Sequence, residues 1–131
     1  MDLEMTAARL EHVNVTVTDA KTTAALMCRL FDWKIRWEGE ASVGGYTVHV
    51  GEDDTYLAIY MIDGSDHADV ERRHQLAGLN HIGVVVDDLD TVLARVEGEG
   101  YEIYSYADYE PGRRFYFLDA DQVEYEVVSY A

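Results

Sequence analysis

The chain has 131 residues, enough for one compact domain or for two small modules sharing a core. Its 26 acidic against 10 basic residues leave a formal charge of −16, a field that repels nucleic acid and anionic membrane. No apolar run approaches the ~20 residues of a membrane span.

The same field weighs against a strongly anionic substrate unless a local basic patch overrides it, and it suits a metal or an organic base. Solubility or a salt-adapted host explains the charge better. The N-terminal MDLEMTAARLEH is acidic and has no signal-like apolar region. Cys28 is the single cysteine, so no internal disulfide framework exists and a reducing compartment, the cytoplasm, is expected.

In chain order, residues 1 to 8 read as a loose lead-in. Residues 10 to 17 alternate, with Val13, Val15 and Val17 on one face and His12, Asn14 and Thr16 on the other, which predicts a strand. Thr18 or Asp19 can cap a helix over 20 to 31, where Ala24, Met27, Leu30 and Phe31 recur at helical spacing. Cys28 in this helix reads as a buried, inert thiol. Strands are predicted at Trp33 to Glu38, Tyr46 to Val50 and Thr55 to Met61. In the last of these, Tyr56, Ala58 and Tyr60 share a face. The order is β-α-β-β-β.

Asp63 to Ala77 is charged and lacks apolar periodicity, so it reads as a linker. Solvated surface is the default for its Arg72, Arg73 and His74. The order then repeats. Leu79 to Val86 is a strand, and Asp87 or Asp88 caps a helix carrying Leu89, Val92, Leu93 and Val96, which Gly98 and Gly100 end. Tyr101 to Tyr106, a Pro111-Gly112 turn, Arg113 to Leu118, a turn at 119 to 122 and Val123 to Tyr130 complete a second β-α-β-β-β unit. The expected division is 1–62, a linker over 63–77, and 78–131.

The halves resemble one another in detail. Laid side by side, LEHVNVTVTD (10 to 19) and GLNHIGVVVDD (78 to 88) bring Leu10 onto Leu79, His12 onto His81 and Asp19 onto Asp88. A four-stranded sheet with one helix cannot cover both faces, so two such units must pair, within one chain or between chains. Strand periodicity leaves His12, Asn14, Thr16, His81, Gly83, Val85, Glu124, Glu126 and Val128 on the uncovered faces. Two imidazoles and a carboxylate suit a divalent metal and leave coordination positions free. Taken alone, Glu124 and Glu126 read as solvent-facing charges on an edge strand, and a strand histidine reads as an ordinary hydrogen-bonded residue.

LEHVNVTVTD, GLNHIGVVVDDLD and RRFYFLDADQVEYEVV together resemble the vicinal oxygen chelate superfamily, which includes glyoxalase I, methylmalonyl-CoA epimerase, extradiol dioxygenases, the fosfomycin-resistance thiol transferases and the bleomycin-resistance proteins. The resemblance covers residues 9 to 130. It implies an α+β fold of two tandem βαβββ modules, with mixed β-sheets curved around a central cavity. It also implies metal ligands at His12, His81 and Glu126, with Glu126 as the catalytic residue. The fourth ligand position of the family falls on Ala58, which cannot bind metal, and the family's Asp-Pro-Asp-Gly turn is here Asp119-Ala120-Asp121-Gln122.

The implied cofactor is a divalent ion, Fe, Mn, Ni or Zn. The implied activity is that of a metal-dependent lyase, isomerase or dioxygenase. The implied assembly is a homodimer. Asn14, Tyr56, Tyr60, Arg114, Tyr116 and Glu124 are the candidate substrate-binding residues, and His49 is a further candidate on an uncertain strand face. Phosphonate chemistry ranks low, because no Arg or Lys follows Glu126 and the net charge opposes it. The rival reading is a metal-free small-molecule binding protein similar to the bleomycin-resistance proteins.

Overall fold

The computed structural model describes residues 7–69, 71–109 and 112–131. Most of the expected lead-in (1 to 8) and Pro111 of the expected turn lie outside the described residues. The valine alternation forms β1 (His12–Thr16), with Val15 and Val17 buried and His12, Asn14 and Thr16 exposed.

Asp19 starts α1 (Ala20–Phe31): its Oδ1 accepts the backbone N–H of Lys21 at 3.1 Å and of Thr22 at 3.2 Å, two donors that a helix leaves without an internal partner. Ala20, Ala24, Met27 and Leu30 are fully buried, and Asp32 stops the helix in the left-handed region at φ 58°. Cys28 is half-buried, not buried as expected.

Three strands follow: β2 (Lys34–Glu40), β3 (Tyr46–Gly51) and β4 (Tyr56–Met61). They join β1 in a four-stranded sheet of order β1-β4-β3-β2, in which β1 runs parallel to β4 and the other pairs are antiparallel. Val48, Val50, Leu57 and Ile59 are buried in it.

The second half repeats the plan with β5 (Ile82–Val85), α2 (Leu89–Gly98), β6 (Tyr104–Tyr109), β7 (Gly112–Leu118) and β8 (Glu124–Ser129). Its sheet order is β5-β8-β7-β6, again with one parallel pair, β5 with β8. Asp88 caps α2 by accepting the Thr91 N–H at 3.1 Å and the Thr91 hydroxyl at 2.7 Å. Leu89, Val92 and Val96 are buried, and α2 packs on β7 and β8. Phe115, Phe117 and Tyr125 are fully buried in this unit. Burying such side chains stabilises by roughly 1.5–3 kcal/mol each.

The architecture is α+β, two βαβββ modules each built on a mixed sheet. By contacts the chain forms two compact units, one of residues 1–28 and 33–63, the other of residues 29–32 and 64–131.

Most strand boundaries shift by a residue or two from the sequence expectation, and three differences bear on the candidate residues. β6 begins at Tyr104, not Tyr101, because the end of α2 takes up the intervening backbone. The Tyr101 N–H bonds to the Val96 carbonyl at 3.3 Å, and Gly100 sits at φ +91°, where a side chain would be strained. β5 begins at Ile82, so His81 stands immediately ahead of the strand. A 3-10 turn, Arg72–His74, forms inside the segment read as a linker.

Candidate functional site

Each unit carries its share of the candidate residues on the face opposite its buried valines, leucines and isoleucines. In the first unit His12 opens β1, and the parallel register sets it beside Tyr56 and sets Asn14 beside Ala58. The His12 and Tyr56 rings stack with centroids 5.0 Å apart, and Tyr56 stacks in turn on His49 at 4.6 Å. Trp37 tilts against His49 at 5.2 Å. His49 therefore belongs to the same face as Tyr56, which answers the question of strand face that periodicity left open.

Glu11 Oε1 accepts from His12 Nδ1 at 2.8 Å and from the Tyr56 hydroxyl at 3.2 Å. Those two bonds hold the Glu11 carboxyl below its usual range, the His12 bond being the larger cause. Burial pushes the His49 imidazole below its ordinary value, and the nearby His12 and Arg36 push the same way. Tyr60 donates to the Gly44 carbonyl at 2.5 Å. Ala58 is buried at 3 % exposure.

The second unit is built differently. Equivalent register positions bring Gly83 opposite Glu126 and Tyr116 opposite Glu126. His81 Nδ1 lies 2.7 Å from Asn80 Oδ1, and His81 Nε2 lies 3.0 Å from Glu126 Oε1. Each ring nitrogen thus has an oxygen acceptor within hydrogen-bond distance, and the tautomer decides which of them donates. A proton on Nε2 bridges it to the carboxylate, and a cation can take that proton's place. An imidazole whose other nitrogen is tied to an oxygen is the arrangement that orients a metal-binding histidine.

Arg114 Nη1 donates to Glu126 Oε2 at 3.0 Å, so one carboxylate oxygen is committed and the other faces His81. The Tyr116 ring meets the His81 ring edge-on at 5.7 Å. Burial raises the Tyr116 phenol, and the Glu126 charge adds to that.

Glu124 corrects the expectation of a solvent-facing edge charge. β8 lies inside the sheet, between β5 and β7, and Glu124 is only 5 % exposed. Arg73 Nη2 donates to its Oε2 at 2.5 Å, and the Tyr104 hydroxyl donates to the same oxygen. Its Oε1 is 4.0 Å from His81 Nδ1. Burial, and then the bond to Glu124, raises the Tyr104 phenol well above its ordinary value. Arg73 is thus not the plain solvated charge that its linker position implied. Sequence reasoning also passed over Tyr104 and Asn80. Only the adjacency of Asn80 to His81 could have signalled a role there.

The structure therefore brings His81, Glu126, Arg114, Tyr116 and Glu124 together in one unit, and His12, Asn14, Tyr56 and Tyr60 on one sheet face in the other. Among the described residues no three His, Cys, Asp or Glu side chains gather into a single metal-ligand cluster. The donor chemistry of His81 and Glu126 nonetheless fits a divalent ion: an imidazole nitrogen and a carboxylate oxygen converge, each oriented by a further bond. Among the described residues no helix is long and apolar enough to cross a membrane.

Among solved structures, the chain is similar to the glyoxylase/bleomycin resistance protein/dioxygenase domain from Frankia sp. EAN1pec, with 22% identity, TM-score 0.79, and 95% of this chain and 93% of that one covered. It is similar to the fosfomycin resistance protein FosX from Listeria monocytogenes, whose complex with Mn(II) and sulfate aligns with 18% identity and TM-score 0.69 over 95% of this chain and 93% of that one. A glyoxalase family protein from Enterococcus faecalis aligns with 16% identity and TM-score 0.74 over 92% of this chain and 96% of that one. No curated protein matches the chain significantly. The family model described as Glyoxalase/Bleomycin resistance protein/Dioxygenase superfamily matches residues 9–127. With nearly its whole length matched and both modules present, the chain belongs to that superfamily.

Proposed function

We propose that the chain is a small-molecule metalloenzyme of the glyoxalase/dioxygenase type, holding a divalent ion with His12, His81 and Glu126. The observation that carries this reading is the approach of His81 Nε2 to Glu126 Oε1 at 3.0 Å, each group held by a second partner. Such an ion, when bound, supplies a Lewis acid to neighbouring oxygens of a substrate and favours the negative charge that develops on them.

The chain's own residues do the rest. Asn80 holds the His81 ring at Nδ1, Arg114 holds one oxygen of Glu126, and Tyr116 and Tyr104 line the face around them with rings whose phenols stay protonated. Asn14, Tyr56 and Tyr60 offer polar contacts from the first unit. Mn(II), found with the Listeria FosX protein, is the first ion to try, with Fe, Ni and Zn beside it. The proposed division of labour keeps the boundaries 1–62, 63–77 and 78–131, and the proposed state is a cytoplasmic homodimer. A sedimentation mass of one chain at micromolar concentration would rule out the dimer.

A second reading has its own support. The first unit lacks a carboxylate at Ala58 and carries an aromatic column of Trp37, His49, Tyr56 and His12, a surface suited to holding a flat organic molecule without metal. Metal analysis of protein purified without chelator decides between the two. The enzyme reading expects one ion per chain, lost in His81→Ala and in His12→Ala. Substoichiometric metal unaffected by either change overturns it and leaves the binding-protein reading.

A further inference from the structure

Residues 71–78, ahead of Asn80 and His81, supply no ligand to the proposed metal site, yet they are tied down at several points. Arg73 Nη2 donates to Glu124 Oε2 at 2.5 Å, reaching across 51 positions of sequence to a carboxylate that is 5 % exposed. The neighbouring Arg72 Nη2 donates to the Gln122 carbonyl. Between these anchors and His81 the backbone folds tightly. The His74 N–H bonds to Glu71 O at 2.8 Å, the Gln75 N–H to Arg72 O at 3.1 Å, and the Gly78 N–H to Gln75 O at 3.1 Å. A Cβ on Gly78 would run into the Arg72 carbonyl, and Ala77 takes φ +67°.

His81 follows three residues after Gly78. Glu124, the anchor for Arg73, stands two residues before Glu126 on β8 and faces His81 Nδ1 at 4.0 Å. The segment that delivers His81 is therefore fastened to the strand that delivers Glu126.

We propose that Arg73 is a positioning residue, a latch that seats residues 71–78 on β8 and so holds His81 against Glu126. The physical ground is the burial of Glu124. A buried carboxylate oxygen is costly to leave without hydrogen bonds, and Glu124 Oε2 accepts two, from the Arg73 guanidinium and the Tyr104 hydroxyl, so the sheet holds on to the guanidinium and with it the backbone behind it. Arg73 has enough stem to reach Glu124 from a half-exposed position.

The test uses the full chain and three variants, Arg73→Ala, Arg73→Lys and Glu124→Gln, with His74→Ala as a neighbouring control. Two readouts are taken: amide hydrogen exchange at residues 74–81, and Mn(II) affinity from the free-ion EPR signal. The exchange readout stands on the latch alone, whereas the Mn(II) readout rests also on the metal reading. Arg73→Ala is expected to speed exchange at Gln75 and Gly78 by about tenfold or more, and to weaken Mn(II) by about 10- to 100-fold, the usual cost of losing a group that orients a ligand. Arg73→Lys is expected to restore most of both, Glu124→Gln to act like Arg73→Ala, and His74→Ala to change neither.

If the parent chain binds no Mn(II), the metal reading fails while exchange still decides the latch. Exchange and affinity in Arg73→Ala within twofold of the parent would overturn the proposal. Should Arg73→Ala fail to fold, Glu124→Gln decides by the same twofold criterion, because its neutral side chain keeps the shape of the original.

Discussion

The two units use the same scaffold position by position and fill it with opposite chemistry. The β1 and β5 strands align His12 with His81 and Asn14 with Gly83. The β4 and β8 strands align Tyr56 with Glu124 and Ala58 with Glu126, and β3 and β7 align His49 with Tyr116. Where the first unit stacks His12 on the Tyr56 ring, the second sets His81 near the carboxylates of Glu124 and Glu126. The first face is a column of rings with one exposed acid, Glu11, beside it. The second is two glutamates, each neutralised by its own arginine. Register decides which positions meet; the residue types at two positions of one strand, 56 and 58 against 124 and 126, decide what the meeting can do.

The largest effect should come from erasing this difference in the second unit. Glu126→Ala removes the carboxylate and leaves Arg114 half-buried without that partner. On the proposed function, metal affinity measured by calorimetry falls beyond detection, while Glu126→Gln retains the fold and loses most of the affinity. Unchanged binding in both variants would mean that Glu126 is no ligand.

The converse change, Ala58→Glu, tries to make the first unit like the second. It places a carboxylate at a 3 % exposed site whose Arg114 equivalent is Thr47, already donating to the Ile59 carbonyl at 3.2 Å. With no arginine at that position, the buried acid should cost about 1–3 kcal/mol, read as a lower denaturation midpoint in chelator. Ala58→Gln should cost less. A midpoint equal to the parent's would show that the first face is open enough to solvate a charge.

How much of this is legible in the sequence follows from where the information lies. Strand alternation is local, so Val15 and Val17, or Ile82 and Val84, announce their buried face from four or five letters. Helix starts are local too, and Asp19 and Asp88 are found as caps. The candidate faces follow from the same alternation, which predicts His12, His81 and Glu126 on them. The partners leave no such local trace.

Arg73 meets Glu124 only because a 3-10 turn and a tightly packed Gly78 fold the preceding segment, and neither leaves an amphipathic pattern. Glu124 reads as an edge charge because strand order is not written in periodicity; only the ladder puts β8 inside the sheet. β6 reads as starting early because a helix end closed by a left-handed glycine consumes residues that look strand-like, Tyr101 and Ile103 among them.

Asp119 contrasts with the exposed acids of the surface in a way that pH can probe. It is 3 % exposed, its Oδ1 accepts the N–H groups of Asp121 at 2.9 Å and Val123 at 3.0 Å, and its Oδ2 has no hydrogen-bond partner among the described residues. Burial raises its pKa to about 6, outweighing the two backbone bonds that lower it. A carboxyl raised in the folded state binds more protons there than in the unfolded chain between about pH 4 and pH 6, so its contribution to stability falls as pH rises through that window. Asp119→Asn removes the titration and keeps an oxygen for the two backbone donors. The parent-minus-variant difference in unfolding free energy should therefore drop by about 2–3 kcal/mol from pH 4 to pH 7. A difference flat with pH would place the Asp119 pKa near its ordinary value.

The smallest effect is expected on the exposed side of the first unit, and it separates the two contributions of Tyr56. The ring stacks on both His12 and His49, while the hydroxyl donates to Glu11 at 3.2 Å. Tyr56→Phe keeps the stack and drops a hydrogen bond on an exposed carboxylate, where water replaces the lost donor at little cost. Its stability should stay within about 0.5 kcal/mol of the parent. Tyr56→Leu removes the ring, and the loss should approach about 1 kcal/mol, in line with aromatic pairs of this kind. The His12 ring resonances give the sharper reading. In Tyr56→Phe they should keep the upfield displacement that a stacked ring imposes, and in Tyr56→Leu they should lose it. Displacement that survives in the leucine variant would mean that His12 takes its environment from elsewhere, and that the ring column of the first unit is not what sets its histidine apart from His81.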